Sequence, residues 1–235
     1  MQRVSTPEIL DSDDCPKQEV EASLQDLCRI NRWFGGVDTT RKLIERVASA
    51  TGEKKFSLLE VAAGYGEVPR QAAEQLLKKG IKLEITDLDR VPTHLQRSHR
   101  VLVADALALP FADNSFDLVS CSLFAHHLEP EELARFGEEA CRVSRSAVLI
   151  NDLIRHPLHL ALVYAGFPLM KSYISRRDGV ASVRRAYEPE EMHEILCTSK
   201  CCQKIEITRH YLFRMGVIVW KAGTSEWRLA EQGSS

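Results

Sequence analysis

The 235-residue sequence lacks several features that would assign a protein to a class at once. None of its seven cysteines forms a Cys-x-x-Cys pair, which excludes zinc ribbons and thioredoxin-type redox motifs. No run is long and apolar enough to span a bilayer, and Met1–Glu8 lacks the apolar core of a signal peptide. The formal net charge of −2, without a basic block, gives no electrostatic basis for binding nucleic acid. We therefore expect a cytoplasmic protein with reduced cysteines.

The length of the chain suits a single domain, because 235 residues can bury a complete hydrophobic core. The polar stretch around Asp11–Asp14, with prolines nearby, predicts a flexible lead-in over residues 1–18. We expect one domain over residues 19–225 and a disordered tail over residues 226–235.

An apolar run followed by a loop of small residues is the most informative segment. Leu58–Val61 predicts a buried strand, Ala62–Gly66 a tight loop, and Glu67–Gly80 a helix. Nucleotide-type cofactor sites are built from these parts, because small residues let the backbone approach the ligand and the helix start offers free N–H groups. In isolation the two glycines are equally consistent with a simple tight turn.

Three further predicted strands end in small or polar residues. Ile81–Asp89 ends in acids about 20 residues after the glycine loop, where a carboxylate can accept hydrogen bonds from ribose hydroxyls. Arg100–Ala104 leads into Asp105, and Phe116–Cys121 leads into Ser122 and Leu123. The acids could instead cap helices or be solvated. Parallel strand ends meet at one edge of a sheet, so we expect these groups to lie together.

In this order the segments resemble the motifs of the class I S-adenosylmethionine-dependent methyltransferases. The first motif of that family, acid-x-Gly-x-Gly-x-Gly, stands here as Glu60–Gly66, with Ala62 in place of the first glycine. The segment from Asp89 is similar to the second motif, whose acid holds the ribose, and Asp105–Ala106 is similar to the segment beside the adenine. The alanine methyl is tolerable if the backbone of Ala62 stays at negative φ.

The fourth motif and its loop resemble Asn114–Val119 and Leu123–Leu128, so the similarity runs from about Lys55 to Asn151. It implies a Rossmann-like, seven-stranded, mostly parallel sheet with an antiparallel edge hairpin and helices on both faces. Apolar residues at helical spacing predict N-terminal helices over residues 19–50, and an apolar insertion that leaves a strand tip predicts a helical lid over residues 153–187. The implied cofactor is S-adenosylmethionine, with S-adenosylhomocysteine as product. The implied cofactor-binding residues are Glu60, Ala62, Gly64, Gly66, Asp89, Arg90, Asp105, Ala106, Ser122 and Leu123.

The acceptor is predicted less directly. The insertion leaves a strand tip and is apolar over His156–Met170, which favours a small apolar or aromatic molecule. The residues predicted to contact this acceptor are Trp33, Phe34, Arg155, Tyr164 and Arg184. Each has an alternative: the aromatic residues could anchor a helix, the insertion could pack on the N-terminal helices, and the arginines could pair with surface acids.

Methyl transfer requires mainly alignment and exclusion of water, because the sulfonium is already activated. An oxygen nucleophile can also need a base, for which His127, His126 and Asp152 are candidates. No metal site is predicted, since no acid cluster of suitable spacing is visible and adjacent histidines alone seldom make one.

The sequence predicts methyl transfer to a small-molecule acceptor at oxygen, in a monomer or homodimer with no nucleic-acid partner. Two alternatives stay open: a carbon methyltransferase of quinone or polyketide tailoring, and a methyltransferase-like binding protein without turnover. A nicotinamide oxidoreductase is disfavoured, because its fingerprint needs a last glycine where Pro69 stands.

Overall fold

The computed structural model describes residues 1–11, 15–92, 95, 100–198 and 202–222. The tail predicted over 226–235 lies outside these residues. Across the described residues, no helix combines the length and the apolar character needed to cross a membrane.

A seven-stranded sheet forms the centre of the molecule, in the order β3-β2-β1-β4-β5-β7-β6. Strands β1 to β5 run parallel, and β7 is antiparallel to both β5 and β6. This confirms the predicted Rossmann-like sheet with an antiparallel edge hairpin. The strands are β1 (Lys55–Val61), β2 (Lys82–Asp89), β3 (Val101–Val103), β4 (Phe116–Ser122), β5 (Ser144–Leu153), β6 (Cys202–His210) and β7 (Arg214–Lys221).

Both faces of the sheet are covered, because central strands with apolar residues on both sides need helices on both sides. Along β1, Leu58 packs into a core on one face and Leu59 into a second core on the other. Helices α2 and α3 contribute to the first core, and α4 and α7 to the second. The helices are α1 (Lys17–Trp33), α2 (Gly36–Thr51), α3 (Glu67–Leu77), α4 (Pro130–Val143), α5 (Pro157–Ala165), α6 (Tyr173–Arg185) and α7 (Pro189–Cys197).

Helix α2 is not capped by Asp38 or Thr39, although both residue types favour N-cap positions. Gly35 is the N-cap, in the left-handed region at φ 81°, and the helix begins at Gly36. A side chain at position 36 could not fit, since its Cβ would lie 2.5 Å from Asn31 Oδ1. The two glycines thus both end α1 and start α2 within a very short connection.

Residues 1–11 do not form the detached lead-in that their polarity suggested. The Arg3 guanidinium donates to the carbonyls of Arg185 (2.8 Å) and Leu128 (3.0 Å) and pairs with Glu129 at 2.8 Å. Asp178 accepts hydrogen bonds from the backbone N–H groups of Ile9 (2.9 Å) and Leu10 (3.1 Å). The insertion and the start of α4 thus provide hydrogen-bond partners for polar groups of residues 1–11. Through these contacts the segment packs over the edge of the sheet.

The predicted insertion contains α5, a short 3-10 helix (Phe167–Leu169) and α6. Helix α6 packs against α1 and against the 3-10 turn Ile9–Asp11. This is the packing on the N-terminal helices that the sequence left open as the alternative to a lid. Helix α5 in contrast leaves Leu158 and Leu162 largely exposed.

Candidate functional site

A cavity of about 410 Å³ opens at the carboxyl ends of β1, β2 and β4. Strands β2 and β3 lie on one side of β1, and β4 lies on its other side. The cavity therefore lies at the topological switch point of the sheet, where the strand order reverses. Each residue predicted to bind the cofactor lines it: Glu60, Ala62, Gly64, Gly66, Asp89, Arg90, Asp105, Ala106, Ser122 and Leu123.

The loop after β1 is held in one shape by backbone geometry. Gly64 and Gly66 have φ of 54° and 65°, the left-handed region that favours glycine. A Cβ at Gly66 would lie 2.7 Å from Asp87 Oδ2 and would also overlap the guanidinium of Arg70. Glycine at position 66 therefore leaves room for the Arg70–Asp87 pair behind the loop, while the backbone of Gly64 and Gly66 lines the cavity at the start of α3.

Two other residues of the site carry backbone strain. Ala62 has φ 53° and Leu123 has φ 56°, so both occupy the left-handed region although neither is glycine. The Leu123 N–H donates to Asn151 O at 2.8 Å, which helps to hold that conformation. An alanine at position 62 would be free of strain only at negative φ, and this condition is not met. Backbone strain of this kind clusters at functional loops.

This strain predicts an unusual stability effect. Ala62→Gly is expected to leave the free energy of unfolding unchanged or to raise it by up to about 1 kcal/mol, because relief of the left-handed conformation offsets the entropy of glycine. The neighbouring Ala63→Gly is the matched control, since Ala63 has no positive φ, and it should lose about 0.4–1 kcal/mol. Urea unfolding of both variants measures the difference, and equal losses would contradict the assigned strain.

The two acids at the end of β2 have different environments. Asp89 lines the cavity and accepts hydrogen bonds from Gly64 N and Val91 N, each at 2.9 Å. Asp87 is buried and pairs with Arg70 behind the glycine loop, where it does not belong to the cavity wall. Of the two, Asp89 has the placement required of a ribose ligand.

Glu60 is a buried carboxyl at the cavity wall, 1% exposed. Burial raises the pKa of Glu60 to about 7, against the opposing effect of a hydrogen bond from Ser120 Oγ. The carboxylate of Asp87 contributes to the same rise. At neutral pH this group is poised between its two protonation states, a condition common in functional sites.

The loop after β4 places two histidines at the cavity. His126 is buried, its Nδ1 lies 2.6 Å from Asp152 Oδ1, and its backbone N–H donates to Asp152 Oδ2 at 3.0 Å. The carboxylate of Glu8 lies 3.2 Å from His126 Nε2 and 3.6 Å from His127 Nε2. His127 is partly exposed and stacks with Phe124, whose ring centroid is 6.4 Å away.

This arrangement fixes the charge state of His126. Burial alone would lower the pKa of the imidazole, but the carboxylates of Asp152 and Glu8 outweigh burial and raise that pKa to about 10. The pKa values of Glu8 and Asp152 are in turn lowered, although burial opposes this, because each faces the imidazolium. Asp152 does not line the cavity and lies behind His126, so it positions the ring and does not face a ligand.

Part of the cavity wall comes from residues that sequence analysis did not select. Glu8 belonged to the presumed lead-in, and no local pattern marked it. Helix α1 contributes one face with spacings of three and four residues, which the amphipathic pattern could have indicated. The added wall residues include Glu8, Leu10, Leu24, Leu27, Cys28, Asn31, Tyr65, Phe124 and Ser182.

The five residues predicted to contact the acceptor all lie outside the cavity wall. Trp33 and Tyr164 are 57% and 47% exposed, Phe34 is half-buried at the end of α1, and Arg184 is exposed on α6. Arg155 is buried, donates to Met1 O (2.6 Å) and Ala186 O (2.9 Å), and pairs with Glu188 and Glu191. It fastens the N-terminus to α7, which corrects the expected role in substrate binding.

Comparison with known proteins concerns the family and the fold of this chain. Residues 59–150 match the family model described as a methyltransferase domain. Comparison with curated proteins gave no match. The plantazolicin methyltransferase BpumL, solved in complex with SAH, is similar with a TM-score of 0.65 at 12% identity, over 90% of this chain and 91% of that chain.

Two further solved structures are similar. A SAM-dependent methyltransferase from Aquifex aeolicus has a TM-score of 0.59 at 16% identity, over 87% of this chain and 98% of that chain. The CMeT domain of citrinin polyketide synthase has a TM-score of 0.54 at 14% identity, over 79% of this chain and 52% of that chain. At such identities these structures show a common fold. With the segment over residues 59–150 that matches the methyltransferase-domain model, they support a class I S-adenosylmethionine-dependent methyltransferase fold for this chain.

Proposed function

We propose that this protein transfers a methyl group from S-adenosylmethionine to the oxygen of a small, largely apolar or aromatic acceptor. The observation that carries the proposal is a single cavity that joins the predicted cofactor residues to an apolar wall and to His127. S-adenosylmethionine supplies the electrophilic methyl group when it is bound, and the residues of the chain align the acceptor and exclude water.

The residues present fit this cofactor. Gly64 and Gly66 place backbone without side chains at the cavity wall, and Asp89 faces the cavity where ribose hydroxyls can donate to it. Ser122 lines the cavity beside Glu60, whose carboxyl it contacts through its side chain. We assign Asp89 to the ribose and Glu60 to the cationic methionyl end, since a buried carboxylate favours a cation nearby.

The apolar wall of the cavity favours an apolar acceptor. Leu24 and Leu27 of α1, together with Phe124 and Leu128 after β4, line the cavity. A sugar or a strongly charged polymer would leave hydroxyl or phosphate groups without partners against such a surface. Phenols, quinols and polyketide-type acids match it better.

His127 is the candidate base. Both ring nitrogens of His126 face carboxylates, which leaves none directed to an acceptor, whereas His127 lines the cavity and is partly exposed. A phenolic or enolic oxygen loses its proton readily, so a neighbouring imidazole contributes only modestly to the rate. Carbon methylation at an enol is the second candidate, favoured by the common fold with the CMeT domain of citrinin polyketide synthase.

The binding part of the proposal is tested by calorimetric titration of the purified protein with S-adenosylhomocysteine, with NADH as the control ligand. Saturable binding of the first alone is expected. Binding of neither ligand would contradict the proposal and direct the search to protein partners. Incubation with CD₃-labelled cofactor and a panel of phenols, quinols and polyketide acids, followed by NMR of the products, then separates oxygen from carbon methylation.

His127→Ala is expected to lower kcat about tenfold and to leave the affinity for S-adenosylhomocysteine unchanged, because the ring serves the acceptor and not the cofactor. The effect stays below that of a full general base because the acceptor is already acidic. His193→Ala, an exposed histidine on α7, is the matched control and should behave like wild type. An unchanged kcat in the first variant with the true acceptor would make His127 structural.

A further inference from the structure

One cluster at the cavity is not explained by methyl-donor binding. Glu8, His126 and His127 each direct one potential ligand atom to a common point, and these three atoms lie within 4.8 Å of one another. One carboxylate oxygen of Glu8 faces His126 Nε2 at 3.2 Å, and the other faces His127 Nε2 at 3.6 Å. Two imidazoles and a carboxylate are a donor set for divalent transition metals.

The orientation of His126 is the one that a metal ligand needs. Asp152 holds Nδ1 at 2.6 Å and the backbone N–H at 3.0 Å, which directs Nε2 into the cluster. A carboxylate on the far nitrogen of a ligating histidine fixes the ring in this way in many metal sites. Nε2 is buried and faces the carboxylate of Glu8 at 3.2 Å.

The other ligands are also positioned by neighbours. Ser182 Oγ donates to Glu8 Oε1 at 2.7 Å, so the carboxylate is held by α6. Arg185 donates to the carbonyl of His127 at 2.6 Å and fixes that residue's backbone. These contacts come from the insertion, which shows why Glu8 meets the two adjacent histidines although it is remote from them in the sequence.

We propose that Glu8, His126 and His127 bind one divalent transition-metal ion, with zinc as the ion best suited to this donor set. All three residues line the cavity, so a remaining coordination position faces the ligand space, as in catalytic zinc sites. The sequence argued against a metal because adjacent histidines alone seldom form a site; Glu8 supplies the missing third ligand. This inference rests on the proposed function in one respect: with the metal bound, the ion would replace His127 as the group that activates the acceptor oxygen, and His127 would serve as a ligand and not as a base.

Metal binding is tested directly on the full-length protein. After treatment with EDTA and dialysis, the protein is titrated with Zn²⁺ in competition with a chromophoric chelator, and with Co²⁺ while the visible spectrum is recorded. One saturable zinc site is expected, with cobalt bands that lack thiolate charge transfer. Glu8→Gln and His127→Ala should each weaken the affinity by about 100-fold, and Asp152→Asn by about 10-fold.

An exposed pair on α7 provides the control. Cys197 Sγ lies 3.6 Å from His193 Nδ1 and could bind zinc adventitiously. The double variant His193→Ala/Cys197→Ser should keep the tight site intact. Failure of the wild type to bind either ion, or tight binding that survives in Glu8→Gln and His127→Ala, would overturn the proposal, as would loss of the site in the control.

The same preparations separate this proposal from the proposed function. Each variant is also titrated with S-adenosylhomocysteine, and retained binding shows that it is folded. Cofactor binding without zinc binding would contradict only the proposed metal site. Zinc binding without cofactor binding would contradict the proposed function and leave the metal site standing.

Discussion

Glu60→Gln is expected to make the cofactor-free protein more stable above pH 7. The folded-state pKa of Glu60, about 7, lies above the usual value of 4.5 because the carboxyl is buried. The native state therefore holds this proton more tightly than the unfolded state, so the contribution of Glu60 to stability decreases as pH rises from about 4.5 to 7. The shift corresponds to on the order of 3 kcal/mol above pH 7, a penalty that glutamine does not carry.

Urea unfolding at pH 5 and pH 8 measures this effect. Wild type should lose stability relative to Glu60→Gln between these two values. Glu74→Gln, at an exposed position of α3, is the matched control and should follow the wild type. Parallel pH profiles of wild type and Glu60→Gln would mean that the carboxyl is not buried as described.

The same variant should bind the cofactor more weakly. If Glu60 faces the ammonium group, the ligand favours the carboxylate, and the affinity of the wild type for S-adenosylhomocysteine should rise between pH 6 and pH 8. The affinity of Glu60→Gln should be lower and should lack this part of the pH dependence. Titrations in two buffers of different ionisation enthalpy would detect the proton released by the wild type.

Asp89→Ala is expected to weaken binding of S-adenosylhomocysteine by about 1–3 kcal/mol, through loss of hydrogen bonds to the ribose. The structure adds a second reason, because Asp89 accepts hydrogen bonds from Gly64 N and Val91 N and so holds the glycine loop. Calorimetry measures the total loss of binding free energy. Urea unfolding measures the loss of stability that follows from releasing the glycine loop.

A double-mutant cycle separates the two contributions. An analogue of S-adenosylhomocysteine without the 2′ and 3′ hydroxyls is titrated into wild type and Asp89→Ala. If Asp89 binds the ribose, the variant should discriminate little between the two ligands, whereas the wild type should prefer the natural one. Asp113→Ala, an exposed surface acid, is the matched control. Equal discrimination by wild type and variant would remove the ribose assignment and leave Asp89 a structural role.

The sequence by itself determined the sheet and the placement of the predicted cofactor residues. The apolar run Leu58–Val61, the loop to Gly66 and the acids after β2 are local patterns, and parallel strands bring their carboxyl ends to one edge. Helix α4 begins at Pro130 and ends at Val143, and its capping signals and apolar spacing are contained within it. The start of α2 has no such local signal, since at Gly35 a Cβ would lie 3.1 Å from Tyr211 O in the β6–β7 connection, which is remote in the sequence.

Only the tertiary structure decided which residues lie around His126 and His127 in the cavity. Glu8 joins His126 because the N-terminal segment packs on α6, and Arg155 leaves the cavity because it pairs with α7. No local sequence pattern predicts either contact, because each forms between segments that are remote in the sequence. The same holds for the charge of His126 and the strain of Ala62: both follow from neighbours that only the folded chain brings into contact.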